Sequence, residues 1–226
     1  MSLSTILKDN RGMATSLIEV VLVIAIVAVL STVAMVAAID NIEQARLSRA
    51  IADTQQIGIA IHSFLQDTGF APAFKSGDAR GPNDPVFLVL ETEGSDPTVA
   101  DSLHWPTEAA DRDLLENHLI KNRPLGTAAR YPRMGEISWS RFKGWNGPYV
   151  PKFPSSDPWD DKYLVNVQLL TPKGVQMASE TLTLGTGQRA AVFVISAGPN
   201  RALETRFDQV SDAFVTTGDD IVFRIQ

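Results

Sequence analysis

A chain of 226 residues, 44% apolar and 20% charged, has ordinary globular usage for about one domain, which excludes a wholly disordered or collagen-like polymer. Twenty Lys and Arg stand against 26 Asp and Glu, a net charge of −6, and no Lys/Arg cluster offers a grip on a phosphate backbone, so nucleic acid is not an expected partner. The absence of Cys excludes disulfides, thiolate metal sites and Cys nucleophiles, and three scattered histidines (His62, His104, His118) do not suggest a His-based metal centre.

The first element is the most legible. From Leu17 to Ile39 only Glu19 is charged, and Val20 to Ile39 contains no charge, Gly or Pro. Twenty such residues span roughly 30 Å as a helix, the thickness of a bilayer's hydrocarbon core, so a transmembrane helix is expected over about 17–39. The run is longer than the apolar core of a secretory signal, and helical pattern continues beyond it without a cleavage site. Lys8 and Arg11 in the short leader, with acidic residues after the span, favour leader in and bulk of the chain out.

Glu19 carries the chemistry of this segment. A carboxylate inside an apolar helix costs on the order of 3 kcal/mol. Either Glu19 stays wet near the membrane surface, or it awaits a cation. Cleavage of the leader just ahead of the apolar run would create an α-amino group within one or two turns, and in a bundle of parallel helices the amine of one copy could neutralise the Glu of the next.

The string Arg11-Gly12-Met13, then Ser16-Leu17-Ile18-Glu19-Val20-Val21-Leu22, resembles the class III signal of type IV pilins and type II secretion pseudopilins. That resemblance implies cleavage by a prepilin peptidase after a small residue, N-methylation of the new terminus and a Glu at the fifth mature position. Glu19 is seventh after a cut at Gly12–Met13 and fifth after a cut at Ala14–Thr15, so the leader ends at 12 or 14. Unlike many relatives, this segment has no Pro to kink it.

Beyond the membrane the helical pattern runs on to about Asp67, giving one helix over 15–67. Leu47, Ile51, Thr54, Gly58, Ile61 and Leu65 recur at three- and four-residue steps and form an apolar face that needs something to pack on. Gly69 and Pro72 mark its stop.

Residues 68–226 read as a globular α+β domain. Turn signals crowd 70–160. Val86–Leu90 reads as a strand, and Thr107–Asn122 as a helix capped by Thr107, with His118 on its packed face rather than in a reactive site. Tyr163–Val167 reads as a strand, Thr181–Leu184 and Ala190–Ile195 as a hairpin, and Ile221–Ile225 as a last strand. Together these predict an antiparallel sheet under the second half of the long helix. Gly185-x-Gly187 precedes a strand, not a helix, so it is no phosphate loop.

Gly144-Trp145-x-Gly147-Pro148-Tyr149, then Asp157-Pro158-Trp159 and Tyr163, is similar to a segment of the major pseudopilin group, with Trp145, Tyr149 and Trp159 expected to pin irregular backbone. Ser196–Asn200 and Gly218-Asp219-Asp220-Ile221 resemble that group's C-terminal region. Against it, residues 70–143 look like an insertion. The loop between Ile195 and Ile221 holds Asn200, Glu204, Asp208, Asp212, Asp219 and Asp220, oxygens of the kind calcium takes. The resemblance implies a calcium-ordered loop, with Asp219 and Asp220 as ligands and Asp212 a weaker candidate; a solvated acidic loop is the other reading.

The function implied is a structural subunit, pilin or pseudopilin, of a type IV pilus-like or type II secretion filament, and not an enzyme. Expected partners are further copies of the chain, the prepilin peptidase, the inner-membrane assembly platform, related pseudopilins and, before assembly, membrane lipid. The expected location is the bacterial inner membrane, single-pass, with the globular domain in the periplasm, and after assembly a periplasmic or cell-surface filament. The alternative is a binding or enzymatic domain tethered by an uncleaved anchor. No H-E-x-x-H, G-x-S-x-G or P-loop supports it, and adjacent Asp160 and Asp161 point to opposite sides.

Overall fold

Helix α1 runs from Asn10 to Thr68, close to the expected 15–67. The computed structural model describes residues 10–226 apart from 79, 82–83, 137–141 and 179–181, and leaves the side chains of 10–16, 33–34, 36–37 and 173–174 undescribed. The chain divides into two compact units, Met1–Arg46 and Leu47–Gln226.

In the first unit the described large apolar side chains are exposed, Leu17, Ile18, Ile24 and Leu30 among them. Among the described residues no helix is long and apolar enough to cross a membrane. The transmembrane expectation for 17–39 therefore rests on the residue string alone. Val33, Ala34, Val36 and Ala37 fall outside the described side chains, and the stretch before them, Val20–Thr32, spans only about 20 Å as a helix.

In the second unit α1 buries Ala50, Thr54, Ile57, Gly58, Ala60, Ile61 and Phe64. This face includes Thr54, Gly58 and Ile61 as expected. Ile51 instead points outward at 47% exposure, because the buried stripe is carried by Ala50, Ile57 and Phe64. The helix ends where Gly69 N–H donates to the Leu65 carbonyl at 2.9 Å and the Thr68 hydroxyl donates to the Phe64 carbonyl at 2.7 Å.

Among the described residues seven short strands follow: β1 (Val89–Glu91), β2 (Thr98–Val99), β3 (Arg112–Leu114), β4 (Leu164–Val165), β5 (Phe193–Ser196), β6 (Ala202–Leu203) and β7 (Ile221–Arg224). Five make the main sheet in the order β3-β1-β4-β5-β7, and β2 pairs with β6 separately. The fold is α+β as expected, but the sheet is mixed. β1-β4-β5-β7 is antiparallel, while β3 runs parallel to β1 with Val89 opposite Arg112 and Glu91 opposite Leu114. Arg112 braces this pairing. Its guanidinium bonds Asp96 Oδ1 at 2.7 Å, Glu91 Oε2 at 3.2 Å and the Pro106 carbonyl at 2.6 Å, holding the returning chain beside β1.

The same residues correct the helix expected over 107–122. Ala109–Asp111 forms one 3-10 turn, Arg112–Leu114 joins the sheet, and only α2 (Leu115–Leu119) is helical. Thr107 caps nothing; Asp113 receives Leu114 N–H at 2.8 Å at the helix start. The strand expected at 86–90 is shifted to Val89–Glu91, with Val86 forming an isolated bridge to Phe74.

Among the described residues the expected 181–195 hairpin does not form. Its turn is present, with Gln188 N–H donating to the Gly185 carbonyl, but both edges of β5 are taken by β4 and β7. Leu182 packs instead with Leu169, Ala178, Ala190 and Val192, beside a third helix, α3 (Pro172–Met177); Thr181 lies outside the described residues.

The central strands β4 and β5 are buried on both faces, so they read as apolar runs rather than alternating ones, whereas the edge strands β3 and β7 are only partly buried. Leu90, Val165 and Val194 meet Ile57, Ile61 and Phe64 of α1. Val89, Leu164, Phe193 and Ile195 face Trp105, Leu203 and Phe207. Residues 70–143 are part of this core: Phe74, Phe87, Leu115, Leu119 and Tyr131 are all buried in it.

Candidate functional site

The Gly144–Tyr149 and Asp157–Tyr163 segments act as structural locks. Trp145 is buried and donates its Nε1–H to the His118 carbonyl at 3.1 Å, while Tyr149, half-buried, sets its ring edge-on to Phe64 at 5.6 Å. Asp157 Oδ1 accepts from Trp159 and Asp161 N–H at 2.9 and 2.8 Å, and its Oδ2 accepts from the Ser196 hydroxyl at 2.7 Å. Asp161 is fully buried against Arg201, which donates to both oxygens at 3.0 and 2.7 Å; Asp160 beside it is exposed. Their opposite directions agree with the sequence reading. The Tyr163 hydroxyl reaches Asp53 Oδ2 on α1 at 3.0 Å.

His118 sits in a second buried network. Its Nε2 meets Asp113 Oδ2 at 3.0 Å and its Nδ1 meets the Tyr131 hydroxyl at 2.8 Å. Asp113 also accepts from Asn117 Nδ2 at 2.6 Å and Leu125 N–H at 2.7 Å. Burial pushes the imidazole below its ordinary 6.5 despite the carboxylate, so the ring is neutral in the fold. With the ring fully buried and both nitrogens engaged, His118 is a packing residue, as its place in the sequence suggested.

The C-terminal acidic loop is the site with unmet chemistry. Asp220 is buried, and its Oδ2 accepts from Glu204 and Thr205 N–H at 2.9 and 2.6 Å. Asp219 Oδ2 accepts from Asn200 N–H at 3.1 Å, and Asp219 N–H donates to Glu204 Oε2 at 3.1 Å. The remaining oxygens, Asp219 Oδ1 and Asp220 Oδ1, are buried without a hydrogen-bond partner. Burial, with Glu204 nearby, raises the Asp220 carboxyl above its ordinary value. Gly218 is required here. Its φ is +67°, and a Cβ would fall on the Glu204 carboxylate.

Two buried, unpartnered carboxylate oxygens fit a hard cation. Asp219 and Asp220 would hold it, with backbone carbonyls and water completing six or more oxygens, and the ion would supply charge that orders the loop. Asp212 does not join them. It is exposed on the Ser211–Ala213 turn, and among the described residues no three acidic or His side chains gather for a metal ion. Glu204, one of several loop acids in the sequence, proves to be the loop's internal brace; the Gly218 that makes room for it was the available signal.

At the N-terminus, Gly12, Met13, Ala14 and Thr15 have helical backbone, and their side chains lie outside the description; Glu19 is exposed on the same helix. No family model matches the chain, and neither a curated protein nor a solved structure matches it.

Proposed function

We propose that the chain is a structural subunit, pilin or pseudopilin, of a type IV pilus-like or type II secretion filament. The observation that carries this reading is the helix of the first unit. Its described large apolar side chains are exposed along its length, Leu17 at 66%, Ile18 at 72% and Leu30 at 63%, and Glu19 is the one charge in 17–39. An apolar helix without a core of its own needs lipid or other helices around it. Lipid serves before assembly, with the second unit on the periplasmic side of the bacterial inner membrane; copies of the same helix, or of related pseudopilins, serve afterwards. A prepilin peptidase removes residues 1–12 or 1–14, and the amine it exposes neutralises Glu19 of a neighbour. Calcium at Asp219 and Asp220 orders the exposed loop.

The test is co-expression with and without a prepilin peptidase and an assembly platform. Mass spectrometry should show loss of 12 or 14 residues only with the peptidase, and electron microscopy should show fibres. Glu19→Ala should be cleaved and membrane-bound yet yield no fibres. An N-terminus intact under both conditions would sink the proposal, as would normal fibres from the variant for the pairing step.

A further inference from the structure

The chain holds eight asparagines, and Asn146 alone is followed by glycine. Asn146 lies in the loop between Trp145, which is buried, and the half-buried Tyr149. Its backbone N–H donates to the Tyr149 hydroxyl at 3.1 Å. Its side chain is exposed, and among the described residues neither its carboxamide nor the Gly147 N–H has a hydrogen-bond partner. Packing dictates the glycine: a Cβ there would stand 2.6 Å from the Trp145 ring and 3.0 Å from the Tyr149 ring. A carboxamide free to turn thus precedes an amide nitrogen that no side chain shields.

The other described asparagines lack this combination. Asn117, Asn122 and Asn166 are buried, and their carboxamides donate to the Asp113 carboxylate and to the Tyr131 and Ala191 carbonyls. Asn200 is exposed, but its Oδ1 accepts Ala202 N–H at 2.7 Å, and arginine follows it. Asn41 sits inside α1, where the next residue is the branched Ile42 with a helical N–H. The Asn10 side chain and Asn83 lie outside the described residues.

We propose that Asn146–Gly147 is a site of self-catalysed modification, deamidation, with water as the co-reactant. The Gly147 nitrogen gives its proton to hydroxide and attacks Asn146 Cγ, closing a five-membered imide through Cβ, Cα and the carbonyl carbon. The Cγ–Nδ2 bond breaks, and the nitrogen leaves as ammonia after taking a proton from water. Water then opens the imide. Cleavage of its Cγ–N bond leaves aspartate in an ordinary chain. Cleavage of its other C–N bond, at the backbone carbonyl carbon, leaves an isoaspartyl link one methylene longer. The balance is amide and water to carboxylic acid and ammonia, with no redox change. Either product places a new carboxylate on the surface. The longer link also strains the fold, because its extra methylene falls between two fixed ends: Trp145 Nε1–H on the His118 carbonyl and Tyr149 N–H on the Leu119 carbonyl, both at 3.1 Å. This chemistry is independent of filament assembly and of the calcium loop.

The experiment is incubation of the full chain in neutral detergent at mildly acidic and mildly alkaline pH, followed by peptide mapping with mass spectrometry. Conversion is expected at Asn146 ahead of every other asparagine. Its rate should rise about tenfold per pH unit, because the attacking nitrogen must first lose its proton. Asn146→Gln, which would have to close a six-membered ring, should lose the conversion. Asn146→Asp, the ordinary product, should melt with the unmodified protein, and the separated isoaspartyl form should melt lower; equal melting of the two would remove the strain assigned to the longer link. The same chain in denaturant is the control. Conversion there but not in the folded chain would mean that the fold holds the carboxamide away from Gly147, and overturns the proposal. So does no conversion in either, or another asparagine converting first.

Discussion

His118 shows how a single side chain sets the pH response of the fold. Its ring is buried and neutral, whereas the unfolded chain carries it near its ordinary 6.5. The unfolded state therefore binds more protons as pH falls, and the stability present above about pH 6.5 drains away on acidification, by about 1.4 kcal/mol per pH unit until the buried ring itself protonates. Asp113 adds to this. Burial pushes its carboxyl up, but the hydrogen bonds it accepts from His118, Leu125 and Asn117 outweigh that and hold it low. Tm should fall between pH 7 and pH 5, and His118→Gln, which keeps hydrogen bonding without the charge, should flatten that fall; an unchanged profile would place the pH dependence elsewhere. Asp157 and Asp220, both raised by burial, work in the opposite direction, so the difference between the two proteins is the informative quantity. At Asp219 and Asp220 the expectation is a rise in Tm on adding calcium, equivalent to about 2.7 kcal/mol at a hundredfold excess over Kd. Asp220→Asn should abolish the rise. A melting curve indifferent to calcium and chelator would return the loop to a solvated acidic surface.

At the scale of elements, the approach of α1 to the sheet is set by one missing side chain. A Cβ on Gly58 would lie 2.2 Å from the Phe223 ring of β7. Alanine there would gain about 1 kcal/mol of helix propensity and lose more to overpacking, which costs typically 1–3 kcal/mol. Gly58→Ala should therefore be neutral to destabilising in chemical denaturation, by up to about 2 kcal/mol, despite favouring the helix; a clear gain in stability would mean that Phe223 moves aside freely. The periodicity of 47–65 placed Thr54, Gly58 and Ile61 on the buried face because burial follows the helical repeat. It missed Ala50, Ile57 and Phe64 because a 3.6-residue repeat fixes the direction of a stripe only to within one residue's turn, and the sheet chooses among neighbours. Strand positions were legible where a run of apolar residues is buried on both faces, as in β5. Partnerships were not, since β1 and β3 pair across a long connection, with Arg112 bracing the pair on three acceptors, and no local pattern marks that pairing.

For the whole molecule the two units obey different rules. The second contains every buried residue of the described core, from Ala50 onwards. The first presents, over 17–39, an apolar helical surface with one carboxylate, Glu19. On the proposed reading, removing that carboxylate should make insertion easier by about 3 kcal/mol, since a charged side chain is the expensive member of a membrane helix. The failure of Glu19→Ala fibres that we expect is therefore a loss of pairing between copies and not a loss of anchoring, and the two are separated by measuring membrane association and fibre yield on the same cells. Within the second unit, residues 70–143 read in the sequence as loop-rich, yet they supply β1, β3 and a large share of the core. Only the contact pattern shows this, because nothing in a loop-rich string says that its short apolar pieces meet one another.

The residue string by itself determined what depends on neighbours in the chain: the long helix, its apolar first half with Glu19, its stop near Gly69, and the α+β class. These follow from local propensity and periodicity, which act over a few residues. Tertiary structure alone decided the parallel β3, the short α2 and the orphaned oxygens of Asp219 and Asp220. Each of these depends on charges or buried groups brought together from distant positions, where Coulombic attraction and desolvation act through space and leave no trace in spacing.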